Sequence, residues 1–312
     1  MTATLTPTDL EPESTPQRVT PLRLFIGVIR TARPRQWVKN LLVSAAPFAA
    51  LAAGKRLEPG MIGSIGIAFA AFCVVSSGVY FVNDARDAPL DRQHPKKRFR
   101  PVAAGIVPPW LAYTIGVVLL GAGIAVGGFA GHELQTVLAV YAVMSMAYCF
   151  FLKDQPVIDL AVIAGGFLLR AMAGGLAAHI QLSDWFLLVA SFGSLFIAAG
   201  KRYSEAKTIG EGEAKTRKSL AKYTVSYLRF VWGLAAAVAV TGYALWAFQM
   251  RAASGDVWPA LSVAPFVLAL LRYAVDIDSG SAGSPEDIVL HDRVLQSLGV
   301  LWVLLLALGL KL

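Results

Sequence analysis

Charge is scarce in this chain. Only 15% of its 312 residues are Asp, Glu, Lys or Arg, against roughly 25% in an ordinary soluble domain. That shortage, with 56% hydrophobic residues, excludes a water-soluble globule and makes lipid the expected solvent. Cysteine is nearly absent too. Cys73 and Cys149 both sit inside apolar runs, so they build no disulfide framework and no metal or redox motif, and read as packing residues. The first twenty residues lack the basic start and apolar stretch of a secretory leader. They are polar, acidic and rich in Thr and Pro, and read as a disordered cytoplasmic tail (1–20) ahead of one transmembrane domain over 21–312.

Long apolar runs are what the sequence has in quantity. A bilayer-crossing helix needs about 20 mostly apolar residues. Such segments lie near 38–54, 61–82, 110–130, 134–152, 157–178, 184–200, 228–250, 258–275 and 294–310. The expected fold class is therefore all-α, a polytopic membrane protein of about nine transmembrane helices. Residues 22–31 are amphipathic and flanked by Arg18, Arg33 and Arg35, as in a helix lying in the membrane interface.

The distribution of basic residues orients the chain. With the N-terminus inside, every Lys and Arg falls on one side except Lys55, Arg56, Arg251, Lys311 and the intraspan Arg170. The positive-inside rule then places the N-terminus and the polar loops in the cytoplasm and the C-terminus outside. The same asymmetry explains the net charge of +8 without nucleic acid. A homo-oligomer remains open.

The chemistry gathers on the cytoplasmic side. After the second apolar run comes Asn83-Asp84-Ala85-Arg86-Asp87-Ala88-Pro89-Leu90-Asp91. If the helix continues, Asn83, Asp84, Asp87 and Asp91 share one face. Clustered carboxylates repel one another unless a cation joins them. Their hard oxygens suit Mg²⁺, which binds one or two carboxylates plus substrate phosphates. The metal set expected is Asn83, Asp84, Asp87 and Asp91, the three aspartates being the catalytic candidates.

Basic residues adjoin this cluster: Arg92, Lys97 and Arg100 follow it in sequence. Lys39 and Asn40 begin the first span, Tyr148 and Lys153 end the fourth, and Lys201, Arg202 and Glu205 end the sixth. Together with a metal they would neutralise a pyrophosphate. Arg170 lies deep in the fifth span, where a charge needs a polar cavity or a partner. Asp159, eleven residues earlier, falls on the same helical face. Arg170 either pairs with an Asp of a neighbouring helix or contacts a substrate phosphate.

These residues resemble the UbiA superfamily of intramembrane prenyltransferases, over nearly all of the chain after the tail. The resemblance implies that the first acidic motif binds Mg²⁺ and a pyrophosphate. It also leads one to expect a second acidic motif after the sixth helix, where this sequence instead has Lys201-Arg202-Tyr203-Ser204-Glu205. That basic substitution suits substrates carrying an additional phosphate. RPRQWVKN, NDARDAPLDR, YCFFLKD and GKRYSE together are similar to the phosphoribosyltransferase branch. The branch implies transfer of 5-phosphoribose from phosphoribosyl pyrophosphate to a polyprenyl (decaprenyl) phosphate among the membrane lipids, for arabinan synthesis in the cell envelope. Two other readings stand beside it: prenyl transfer from a polyprenyl diphosphate to an aromatic acceptor, and transport of a phosphorylated lipid or metabolite.

Overall fold

The computed structural model describes residues 20–208 and 222–309. The tail over 1–19, the basic segment 209–221 and Lys311 lie outside the described residues. Within them every regular element is helical.

Helix α1 (Pro21–Ala32) starts with Thr20 as its cap and Pro21 in the first turn, where the missing N–H costs nothing. Leu22, Phe25, Ile26 and Ile29 form an exposed apolar stripe, while Gly27 and Thr31 are buried. This agrees with the amphipathic pattern over 22–31. The helix stops at Arg33, whose φ of 54° lies in the left-handed region.

The chain next forms a 3-10 helix over Pro34–Ser44 and a short α2 (Ala45–Ala52). Helix α3 (Pro59–Asp91) has 33 residues and is therefore about 50 Å long. A hydrocarbon core is about 30 Å thick, so α3 is long enough to project beyond it, and the acidic motif occupies its last turns. Pro89 lies in the final turn and does not end the helix.

Six helices follow as α4 (Pro109–Gly127), α5 (His132–Phe150), α6 (Ile158–Ala177), α7 (Asp184–Thr208), α8 (Val225–Ser254) and the short α9 (Trp258–Leu261). The chain closes with α10 (Val263–Ser279), α11 (Pro285–His291) and α12 (Arg293–Leu308).

Seven helical stretches, not nine, are long and apolar enough to cross a membrane among the described residues: 59–91, 109–130, 132–150, 158–177, 184–208, 225–254 and 258–279. The expected first span is broken into the 3-10 and α2 pieces, with Pro47 inside the second. It nevertheless runs from the acidic end of α3 to the opposite end, where Ala50 packs with Ala178 and Ile180. The expected last span is α12, only 16 residues long.

The two largest of four apolar clusters among the described residues hold the bundle. One joins Val43, Phe72, Leu138, Tyr141 and Ala173, and the other joins Leu160, Phe196, Tyr203, Leu228 and Ile277. Without water to drive association in lipid, helices gain by close approach at small residues. At Gly174 that approach is extreme: a Cβ there would lie 1.9 Å from the Val43 carbonyl oxygen. Gly174→Ala is accordingly expected to separate α6 from the 3-10 segment. It should lower the thermal midpoint of the detergent-solubilised protein by several degrees, measurable by intrinsic fluorescence.

Candidate active site at one end of the bundle

The ends of α3, α5, α7 and α10 meet the starts of α6 and α8 at one end of the molecule. The hydrogen bonds between them are long-range in sequence. Arg86 donates to the Phe150 carbonyl at 2.9 Å, and Tyr203 donates to Asp278 at 2.8 Å.

The acidic motif divides over two adjoining faces of α3. Asp84 and Asp91, two turns apart, share one guanidinium: Arg100 Nη1 lies 3.4 Å from Asp84 Oδ1 and 2.7 Å from Asp91 Oδ2. Asp84, only 2% exposed, also receives Arg33 Nη2 at 2.5 Å. On the neighbouring face, Asp87 holds Lys153 Nζ at 2.7 Å, and Asn83 accepts the Cys149 thiol at 3.4 Å. The reading that all four residues share one face is thus refined to two pairs, 84/91 and 83/87.

Among the described residues, no three Asp, Glu, His or Cys side chains converge on a point as a ready metal cage. The expected set of Asn83, Asp84, Asp87 and Asp91 does not close by itself. The donor chemistry still fits Mg²⁺, which requires only one or two carboxylates when phosphates and water fill the rest. Asp84 and Asp91, close enough to share one cation, meet that requirement.

The cationic rim has local causes. Arg33 reaches Asp84 because α1 ends there. Ser77 Oγ lies at that end, 3.0 Å from the Ala32 carbonyl and 2.7 Å from the Cys73 carbonyl of its own helix, and accepts from Trp37 Nε1 at 3.1 Å. The Arg33 guanidinium also lies over the Tyr80 ring, 4.8 Å from its centroid. Arg92 Nε donates to the Ala103 carbonyl at 3.2 Å and braces the following loop. His94 Nδ1 accepts the backbone N–H groups of Lys96 and Lys97, a turn-forming role. Lys39, Lys97 and Lys201 each have a partner.

Deeper at the same end lies a buried network. Arg202 is 1% exposed. Its three nitrogens donate to Asp159 at 2.9 Å, to Glu205 at 2.5 Å and to the Tyr148 hydroxyl at 2.7 Å. Four residues singled out in the sequence therefore meet: Glu205 joins Arg202 across one helical turn, while Asp159 and Tyr148 come from other helices.

Arg170 corrects the first of the two expectations set for it: among the described residues it pairs with no Asp of a neighbouring helix. Its donors go to the Asn40 amide oxygen at 2.8 Å, the Gly166 carbonyl at 2.6 Å and the Tyr141 hydroxyl at 2.7 Å. The rings of Tyr141 and Phe72 flank it, at 4.6 and 5.6 Å. Eleven residues of helix amount to about 16 Å, so Asp159 shares its face but not its layer. Asn40, expected at the phosphates, is likewise enclosed, its amide nitrogen donating to Cys73 at 3.2 Å. Arg170 and Asn40 brace α6 against the 3-10 segment and α3.

Two contributors escaped the site list drawn from the sequence. Arg33 was visible in its basic run but not as an Asp84 partner. Tyr223, whose hydroxyl donates to Asp159 Oδ1 at 2.5 Å, carries no spacing signal at all.

Known proteins resemble this chain. The UbiA prenyltransferase family model matches residues 41–291. The decaprenyl-phosphate phosphoribosyltransferase of Mycolicibacterium smegmatis is 48% identical over 305 residues, covering 95% of this chain and 96% of the relative. The protein of that name from Corynebacterium glutamicum is 49% identical over 295 residues, covering 93% and 89%. Among solved structures, a UbiA homolog from Archaeoglobus fulgidus bound to GPP and Mg²⁺ superimposes with a TM-score of 0.69 at 16% identity. That match covers 91% of this chain and 98% of the homolog, and it bears on the fold alone. The chain belongs to the UbiA prenyltransferase family.

Proposed function

We propose that this protein transfers 5-phosphoribose from phosphoribosyl pyrophosphate to a polyprenyl phosphate, releasing pyrophosphate, in the plasma membrane with the site facing the cytoplasm. The observation that carries the reading is near-full-length identity of about half to relatives named for phosphoribosyl transfer to decaprenyl phosphate. The site chemistry supports it. Carboxylates that can hold a metal stand beside Arg33, Arg100 and Lys153, and the second motif is basic where a purely metal-bridged diphosphate site would be acidic.

When bound, Mg²⁺ would neutralise charge on the leaving pyrophosphate. Asp84 and Asp91 are the residues to hold it, with Asp87 on the adjoining face. Arg33 and Arg100 rest on these carboxylates and stand ready for phosphate oxygens. Lys153 adds a third positive charge, and Lys201 a fourth at the second motif. A phosphate monoester is already an anion near neutral pH, so the acceptor needs no strong general base. What the protein supplies is alignment of the acceptor oxygen with the anomeric carbon and stabilisation of the departing charge.

Prenyl transfer onto an aromatic acceptor is the second reading, favoured by the family's own description. Purified protein, offered each substrate pair with Mg²⁺ or EDTA, distinguishes the two. Metal-dependent, lipid-extractable phosphoribose is expected. Turnover of a polyprenyl diphosphate with an aromatic acceptor, and none of the phosphoribosyl donor, would overturn the proposal.

A further inference from the structure

The segment between α5 and α6 contains an unusual backbone. Val157 has φ 67° and ψ −47°, a region that a β-branched residue enters only when its surroundings hold it there. The grip comes from far along the chain. The Val157 N–H donates to the Tyr223 hydroxyl at 2.5 Å, while the same hydroxyl donates to Asp159 Oδ1 at 2.5 Å. One oxygen therefore secures the turn and the carboxylate that starts α6.

Each arm leads to a different part of the site. Four residues before Val157, Lys153 holds Asp87 of the acidic motif. On the other arm, Asp159 Oδ2 receives Arg202, which also binds Tyr148 and Glu205. Burial and the bond to Asp159 push the Tyr223 hydroxyl above its usual pKa, so it stays a donor across the physiological range. Its ring is set independently, stacked on Tyr227 at 5.8 Å with 7° between planes.

We infer that Tyr223 is a positioning residue: its hydroxyl clasps the Val157 turn to Asp159 and so keeps Lys153 on the acidic motif in register with the Arg202 network. It touches no reacting atom. Its influence on pyrophosphate-donor binding rests on the phosphoribosyl-transfer reading, whereas its hold on the Val157 turn does not.

Tyr223→Phe removes the hydroxyl and retains the stacked ring. Hydrogen exchange on the full-length protein should show the peptide containing Val157 exchanging faster. The KM for phosphoribosyl pyrophosphate should rise about tenfold, the scale of one lost hydrogen bond, with the KM for polyprenyl phosphate unchanged. Adding Val157→Gly to Tyr223→Phe permits the positive φ without a clasp and should return the donor KM toward the wild-type value. A merely structural role would raise both KM values together, lower the thermal midpoint and gain nothing from glycine; that pattern overturns the inference. Unchanged exchange in Tyr223→Phe would refute the clasp itself, and faster exchange with unchanged donor KM would refute its positioning role. If the wild-type protein makes no product from this donor, the functional reading is what fails, and the exchange result alone decides the clasp.

Discussion

Replacing Asp84 by asparagine is expected to lower kcat/KM by at least about a hundredfold, the scale seen when one group stabilising transition-state charge is lost. Asp84 is the most enclosed carboxylate of the motif and meets both Arg33 and Arg100. Asparagine keeps the shape and one acceptor oxygen but removes the negative charge that a metal ion requires. The two arginines, no longer neutralised there, would also repel the cation. The variant should still elute as a single species in detergent and melt near the wild-type temperature, because an amide can accept from either guanidinium. Asp87→Asn should fall in the same direction but less far, since Asp87 is more exposed and holds Lys153, whereas Asp84 meets two arginines. Near wild-type turnover with an unaltered Mg²⁺ dependence in Asp84→Asn would remove the proposed metal role.

The second large effect belongs to stability. Arg202→Ala would leave Asp159 and Glu205 without the cation that both contact, in a site where the arginine is 1% exposed. Removing one partner of a buried ion pair costs about 3–5 kcal/mol because the remaining charge is stranded. That is a large fraction of the stability of an ordinary domain. The variant should give a poor yield of monodisperse protein and a strongly lowered thermal midpoint. Arg202→Lys keeps the charge but cannot make a three-way fork, so an intermediate loss is expected. Unfolding of Arg202→Ala at the wild-type midpoint would mean that the network contributes nothing to the fold. A selective rise in the KM for one phosphate-bearing substrate, without destabilisation, would return Arg202 to the phosphate-contact role suggested by its place in the basic second motif.

The sequence made some parts of this site legible and hid others for physical reasons. The acidic motif could be read because it is local: an apolar run of membrane-spanning length ends in carboxylates, and helical periodicity places them. That periodicity alone could not say that Asp84 and Asp91 would meet one arginine while Asn83 and Asp87 turn to α5, because this depends on what packs alongside. The Arg202 network joins Asp159 and Tyr223 across 64 residues, and Asp159 and Arg202 across 43. No helical spacing reports such pairs.

Arg170 shows the opposite failure. Its depth in the span correctly demanded a partner, but polar neutral groups and aromatic faces met the demand instead of a carboxylate. The first span was legible as an apolar run, yet Pro47 and the tight 3-10 winding divided it. Hydropathy measures solvent preference and not the regularity of the helix.

The most direct test follows the label. Purified wild-type protein would receive Mg²⁺, a polyprenyl monophosphate and phosphoribosyl pyrophosphate carrying ³²P at the 5-phosphate. Phosphoribosyl transfer requires the label to enter the lipid phase intact, with one unlabelled pyrophosphate released per labelled lipid and none formed in EDTA. Label that stays in the aqueous phase, while a parallel reaction supplied with a polyprenyl diphosphate and an aromatic acceptor releases pyrophosphate, would contradict it, leaving the family assignment in place and the substrate assignment wrong.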